Sequence, residues 1–216
     1  VIASLSINLI HQPDQAQAIT FKVGYTGATV FDGGVVVRGQ SFRLDSLGSF
    51  STAGSDSILN SVQFLFSSAA PAGGTTLYIY GSIPTITALS TGSGALMTST
   101  GFTSVAGNAN ADFSGATDTN RNVTFNFNSP SVILNASTTY YALFSSGQSI
   151  RGQGSNPYTG GNSIICSSCS TLTEQTTDDR AFIVIAETIP FEFEAMGGVM
   201  ILGVGIALHR WRKLKK

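Results

Sequence analysis

Charged residues are scarce in this chain: 11 Lys and Arg and 12 Asp and Glu among 216 residues, or 11%, against about 25% in an average soluble protein. A surface that neutralises nucleic-acid phosphates needs a surplus of Lys and Arg, and the net charge of −1 excludes one. Histidine is rarer still, since His11 and His209 are the two present and both fall outside residues 19–187. That stretch therefore has no Ser-His-Asp or Cys-His nucleophile and no His-ligated metal centre. Tryptophan occurs once, at Trp211 near the C-terminus, so any aromatic platform between 19 and 187 must come from Tyr or Phe. No apolar run reaches the roughly 20 residues of a repeated membrane span, which excludes a polytopic membrane protein. A highly charged disordered chain is excluded too, because 42% of the residues are hydrophobic and 10% aromatic.

The few charges are unevenly placed. Arg210, Arg212, Lys213, Lys215 and Lys216 put five basic residues in the last seven positions, whereas residues 19–187 carry six basic and nine acidic residues. A mildly acidic body is thus followed by a basic terminus. At the other end, the apolar residues 1–10 run into a polar stretch closing on Ala16-Gln17-Ala18. A short apolar segment followed by a small-x-small site is how a secretory signal peptide ends, because signal peptidase has shallow pockets for those two side chains. We expect residues 1–18 to be such a peptide, truncated at its N-terminus, with cleavage after Ala18.

The C-terminal residues 188–216 have three parts: Thr188-Ile189-Pro190-Phe191-Glu192-Phe193-Glu194, an uncharged glycine-containing segment 195–208, and the basic cluster. Fourteen residues rise about 21 Å as a helix, short of a hydrocarbon core of about 30 Å. Snorkelling of Arg210 and Lys213, with Trp211 at the interface, extends the reach. A buried core helix would give the five terminal cations no role. We therefore expect one C-terminal transmembrane helix, with the basic end cytoplasmic and the body outside.

The order Pro190-Phe191-Glu192-Phe193, glycine-containing helix and basic terminus resembles the PFE variant of the PEP-CTERM sorting signals, carried by secreted bacterial proteins and found mostly in cyanobacteria. The resemblance implies an exosortase-like membrane protease or transpeptidase as partner. Such a partner would cut near the motif and release the body or transfer it to the cell surface or extracellular polymer.

Between the ends, period-two runs are separated by Gly, Ser and Thr. Asn60, Val62, Phe64 and Phe66 alternate with Leu59, Ser61, Gln63 and Leu65 and are expected to supply most of one apolar face, and Leu77 and Ile79 alternate with Tyr78 and Tyr80. Val123, Phe125 and Phe127 alternate with polar residues, Tyr140, Ala142 and Phe144 with Tyr141 and Leu143, and residues 182–185 are continuously apolar. Alternation with β-branched and aromatic enrichment predicts antiparallel strands. No stretch sustains a 3.6-residue period, Gly33-Gly34, Gly73-Gly74 and Gly160-Gly161 are expected to turn the chain, and residues 90–119 are expected to be a long excursion between strands. The expected fold is all-β, a single antiparallel, jelly-roll-like β-sandwich over residues 19–187. Gly39-Gln40-Ser41-Phe42, residues 59–64, residues 76–80 and residues 134–141 are similar to the choice-of-anchor sandwich domains that precede such sorting tails. That resemblance implies no common activity.

Chemistry-bearing residues are few. Cys166-Ser167-Ser168-Cys169 supplies two thiols, half of a zinc site, with no histidine to complete it. In an exported protein the expectation is a local disulfide between Cys166 and Cys169. No metal or other cofactor is implied, since Asp112, Asp118 and Asp178-Asp179 match no calcium-loop spacing. Tyr158, in the Gly/Asn/Ser-rich loop 152–162, is the expected exposed ligand-binding aromatic, whereas Tyr78, Tyr80, Tyr140 and Tyr141 are expected to pack across strands. The functional expectation is a non-catalytic exported protein of the cell surface or extracellular matrix. A carbohydrate-binding module with an extracellular polysaccharide as partner is the alternative. A glycan-active enzyme using two carboxylates comes third.

Overall fold

Alternating apolar side chains give each strand one face that must leave water, and two sheets satisfy this by covering each other. The computed structural model describes residues 18–27, 36–46, 48–50, 54–128, 132–166 and 169–189. Ala16, the motif Pro190-Phe191-Glu192-Phe193, the apolar segment 195–208 and the basic cluster from Arg210 to Lys216 lie outside the described residues, as does Gly33-Gly34. Among the described residues no helix is long and apolar enough to cross a membrane. Ile19–Ile189 forms one compact unit.

Its strands in chain order are β1 (Thr20–Tyr25), β2 (Val36–Phe42), β3 (Ser57–Phe66), β4 (Leu77–Tyr80), β5 (Met97–Thr98), β6 (Gly101–Ala106) and β7 (Arg121–Asn126). They continue as β8 (Ile133–Leu134), β9 (Tyr140–Gln148), β10 (Gly152–Gln153), β11 (Ser163–Cys166), β12 (Thr173–Gln175), β13 (Asp179–Arg180) and β14 (Phe182–Thr188). One sheet has the order β1-β14-β3-β7-β6, with β8 beside β3, and the other the order β12-β11-β2-β9-β4-β5. Strands β10 and β13 form a separate pair. Every pairing in these sheets is antiparallel. The fold is all-β, as expected.

Aromatic rings join the two sheets. Phe144 of β9 lies 4.9 Å from Phe64, 5.9 Å from Phe66 and 5.4 Å from Phe125, ring centre to ring centre. Its partners all belong to the opposite sheet. Val123 and Phe125 are buried on the core side of β7, with Phe127 just past its end, and Tyr140 and Ala142 on the core side of β9, as their alternation predicts. Burying a side chain of this size stabilises by about 2 to 3 kcal/mol.

The outer faces are also partly covered. Leu65, Ala181 and Ile183 pack under Phe113 on one sheet, so the apolar run 182–185 is buried on both sides. Tyr78, Tyr80, Leu143 and Ile164 pack with Leu89 on the other. Leu89 belongs to the short helix α1 (Ile86–Thr91). The Thr85 hydroxyl caps this helix by accepting the Ala88 N–H at 3.1 Å, and Gly92 ends it at φ +73°.

Three expectations need correction. The body contains a helix, whose six residues are too few for a 3.6-residue pattern to repeat. Residues 90–119 are not a plain excursion, because they contain β5 and the edge strand β6, which is largely exposed and so lacks alternation. Leu59 joins Val62, Phe64 and Phe66 in the core. The register with β14 slips there, Ala186 facing Leu59 while Ile185 faces Ser61, so Asn60 is an extra residue that flips the side-chain order.

The ends of the unit meet. Strand β14 lies between β1 and β3, pairing Glu187 with Thr20. The Ile19 N–H donates to the Thr188 hydroxyl at 2.9 Å and the Thr188 N–H to the Ile19 carbonyl at 3.0 Å.

Candidate functional site

Two loops far apart in sequence meet beside the ends of β2 and β11. One follows Phe42 through Arg43, Asp45, Ser46 and Gly48, and the other carries Pro157, Thr159 and Gly160. Between them lies an open cleft of about 440 Å³. Backbone closeness holds the loops together. A Cβ on Gly161 would stand 1.9 Å from the Ser41 carbonyl oxygen, and one on Gly160 2.3 Å from the Ser46 Cβ. Gly160-Gly161 is therefore needed for close approach, not for the positive φ expected; Gly74, at φ +87°, does turn the chain.

Tyr158 is not the exposed aromatic expected from its loop composition. It is fully buried, its ring edge-on to Phe182 at 5.1 Å. Its hydroxyl donates to the Arg43 carbonyl at 2.9 Å and accepts the Arg43 N–H at 3.1 Å, so it clasps that backbone from within. Burial pushes its pKa up to about 12. The ring offers no face to a ligand: it packs on Phe182, and Gly48 and Gly160 lie so close that a Cβ on either would meet it within 2.8 Å.

Beneath the cleft, a set of buried polar groups pairs one with the next. Asp179 accepts the Tyr158 N–H at 2.6 Å and the Gln40 side-chain amide at 2.8 Å. The Gln40 carbonyl oxygen in turn accepts the Arg180 N–H at 2.9 Å. The fully buried Arg180 donates through Nε to the Ser163 hydroxyl at 2.8 Å, with its guanidinium 3.9 Å from Asp178. Burial raises the Asp179 pKa to about 6, opposed by its two accepted hydrogen bonds and the Arg180 charge.

On the rim, Arg43 grips Asp45 with two hydrogen bonds, Nε to Oδ1 at 2.9 Å and NH2 to Oδ2 at 2.6 Å. Both side chains are about one-third exposed or more, so solvent screens the pair and it adds little to the stability of the fold. Its use is geometric: a fixed donor fork beside an acceptor, with Ser46 and Thr159 hydroxyls nearby. This set can hydrogen-bond a polyhydroxyl ligand.

The other sequence candidates are dispersed. Tyr78 and Tyr80 pack edge to face at 6.1 Å, and the Tyr140 hydroxyl accepts the Asn135 N–H at 2.8 Å, in line with packing roles. Asp112 is tied to Lys22 at 2.7 Å, far in role from the buried Asp178 and Asp179. Among the described residues no group of three or more His, Cys, Asp or Glu is placed to hold a metal. Cys166 and Cys169, the pair expected to form a disulfide, stand as two free thiols in this structure. Cys166 ends β11 inside the sheet, whereas Cys169 is exposed, in a left-handed backbone conformation at φ +53°.

Loop 152–162 was visible in the sequence as a candidate region, but Arg43, Asp45 and Ser46 were not. Nothing in Arg43-Leu44-Asp45-Ser46 marks a site until the fold brings residues 157–160 beside it. Compared with known proteins, the chain matches no family model, no curated protein and no solved structure.

Proposed function

We propose that this chain is an exported, non-catalytic display protein: a jelly-roll β-sandwich carried across a membrane and sorted by its C-terminal residues 188–216. The strand orders β1-β14-β3-β7 and β2-β9-β4-β5, with successive early strands alternating between sheets, favour the jelly-roll description. The observation that carries the functional reading is the meeting of the two ends. The compact unit starts at Ile19, directly after the small-x-small site, and ends at Ile189, directly before Pro190. Its first and last described strands close on each other, so the described sandwich keeps all of its strands when residues 1–18 and 190–216 are removed. A body that is self-sufficient between two processing segments suits a cargo that is trimmed at both ends and then displayed. An exosortase-like membrane enzyme would be the partner, and the segment 195–208 with its basic stop would hold the protein in the membrane until processing.

The test is deletion of Pro190–Lys216 in the producing cell. Release of unanchored protein to the medium is expected, and unchanged surface retention would refute the sorting role. Intact mass of the native protein checks both processing steps at once. The polar cleft favours a second reading, carbohydrate binding. In that case the full chain would bind neutral polysaccharide, and Arg43→Ala would weaken the binding with little effect on folding.

A further inference from the structure

The two cysteines stand in unlike surroundings, and a third side chain connects them to the sheet. Arg38 of β2 lies beside the exposed thiol, its NH2 3.7 Å from the Cys169 sulfur. Its NH1 donates to the Ser145 carbonyl of β9 at 3.1 Å, which anchors the guanidinium across the β2/β9 pair. Cys166 is fully buried at the end of β11, and the Cys169 thiol lies 3.8 Å from the Cys166 carbonyl oxygen. A cation at hydrogen-bonding distance favours the thiolate, and exposure lets a reagent reach it. Burial away from water does the opposite for Cys166.

We propose that Cys166 and Cys169 form a redox-active dithiol, in which Cys169 is the attacking thiolate, Cys166 the resolving thiol and Arg38 the residue that positions and stabilises the thiolate. The co-substrate is a low-molecular-weight disulfide, RSSR. The Cys169 thiolate attacks one of its sulfurs, the S–S bond breaks, and the leaving thiolate takes a proton from solvent to give RSH. Cys166 then loses its proton to solvent and attacks the Cys169 sulfur of the mixed disulfide. The second thiolate leaves and is protonated, so that one RSSR has become two RSH and the dithiol an internal disulfide. The directions of the two thiol pKa values agree with these roles. The hydrogen bond from Cys166 and that from Arg38 pull Cys169 down, and burial pushes Cys166 up. The ring closed by this disulfide spans two intervening residues, so it constrains the unfolded chain little. This proposal does not rest on export or sorting.

The experiment uses the reduced full chain. Iodoacetamide alkylation followed by peptide mapping is run across pH 5 to 10, for wild type and for Arg38→Ala and Arg38→Lys. We expect Cys169 to react first, with a pH midpoint below that of free cysteine. Arg38→Ala should raise this midpoint and slow the reaction at pH 7 several-fold, and Arg38→Lys should restore much of it. An ordinary midpoint for Cys169 in wild type, unmoved by either substitution, would overturn the assignment. In a second arm, oxidised glutathione is added to wild type, Cys166→Ser and Cys169→Ser. Wild type should lose two mass units, and Cys166→Ser should instead accumulate glutathione on Cys169. Absence of the internal disulfide in wild type would overturn the proposal even if Cys166→Ser fails to fold.

Discussion

The Tyr158 backbone N–H is bonded to the buried Asp179 carboxylate at 2.6 Å, and the other end of the same tyrosine clasps Arg43. One residue thus links the polar network under the cleft to the loop that forms its rim. Asp179 holds its proton up to about pH 6 in the folded protein, whereas an unfolded aspartate releases it near 3.8. The sign follows from linkage. A raised folded pKa gives a stabilising contribution that is complete below 3.8 and lost as pH rises through 6. The shift corresponds to about 3 kcal/mol. Because other carboxylates titrate too, the readout is the difference between wild type and Asp179→Asn in urea unfolding. Stability of wild type relative to Asp179→Asn should fall by up to about 3 kcal/mol between pH 4 and pH 7. A difference that stays constant with pH would show that Asp179 is ionised throughout.

Tyr158→Phe keeps the ring against Phe182 and removes only the hydroxyl. The Arg43 N–H and carbonyl lose their shared partner in a place water does not reach freely, at a cost of about 1 to 3 kcal/mol. A lower urea midpoint with an unchanged slope is the expected outcome.

Phe144→Ala should be among the most damaging single changes. Three rings of the opposite sheet converge on Phe144, and the void left behind cannot be filled from one side. The expected loss is about 3 to 5 kcal/mol. Val105→Ala, on the exposed edge strand, serves as the control and should change stability by less than about 0.5 kcal/mol.

Gly39 and Gly73 make a matched pair. Gly39 sits at φ +151° in β2, where a Cβ would stand 1.9 Å from the Ala142 carbonyl oxygen of β9. Gly73 has open space around it. Gly39→Ala should cost at least about 2 kcal/mol, through strain and displacement of a paired strand. Gly73→Ala should be neutral or stabilise by about 0.5 kcal/mol. Thermal unfolding of the two variants side by side distinguishes these outcomes.

Much of the sheet architecture was legible because its residues obey a two-residue period over several turns of the pleat, as Val123, Phe125 and Phe127 do. Leu59 was assigned to the wrong face, since an inserted residue at Asn60 leaves no mark on composition. Strand β6 was missed because an exposed edge strand need not alternate. Tyr158 was misjudged for a different reason. Glycine, asparagine and serine around it speak for a surface loop, which is correct for its neighbours. The inward turn of that one ring depends on Phe182 and Arg43, which are 24 and 115 positions away. Local sequence cannot report such a contact.

The placement of β14 has a consequence for the order in which this molecule is made. The last strand of the body is an interior strand of its sheet, hydrogen-bonded on one side to the first strand and on the other to β3. Until Phe182–Thr188 becomes free to pair, β1 has no neighbour in the sheet and the core lacks Phe182 and Val184. Closure joins residues at opposite ends of the chain, the kind of contact that forms slowly. A chain threading through a pore N-terminus first would remain pliable throughout transit. It would snap into shape only as its final strand emerged.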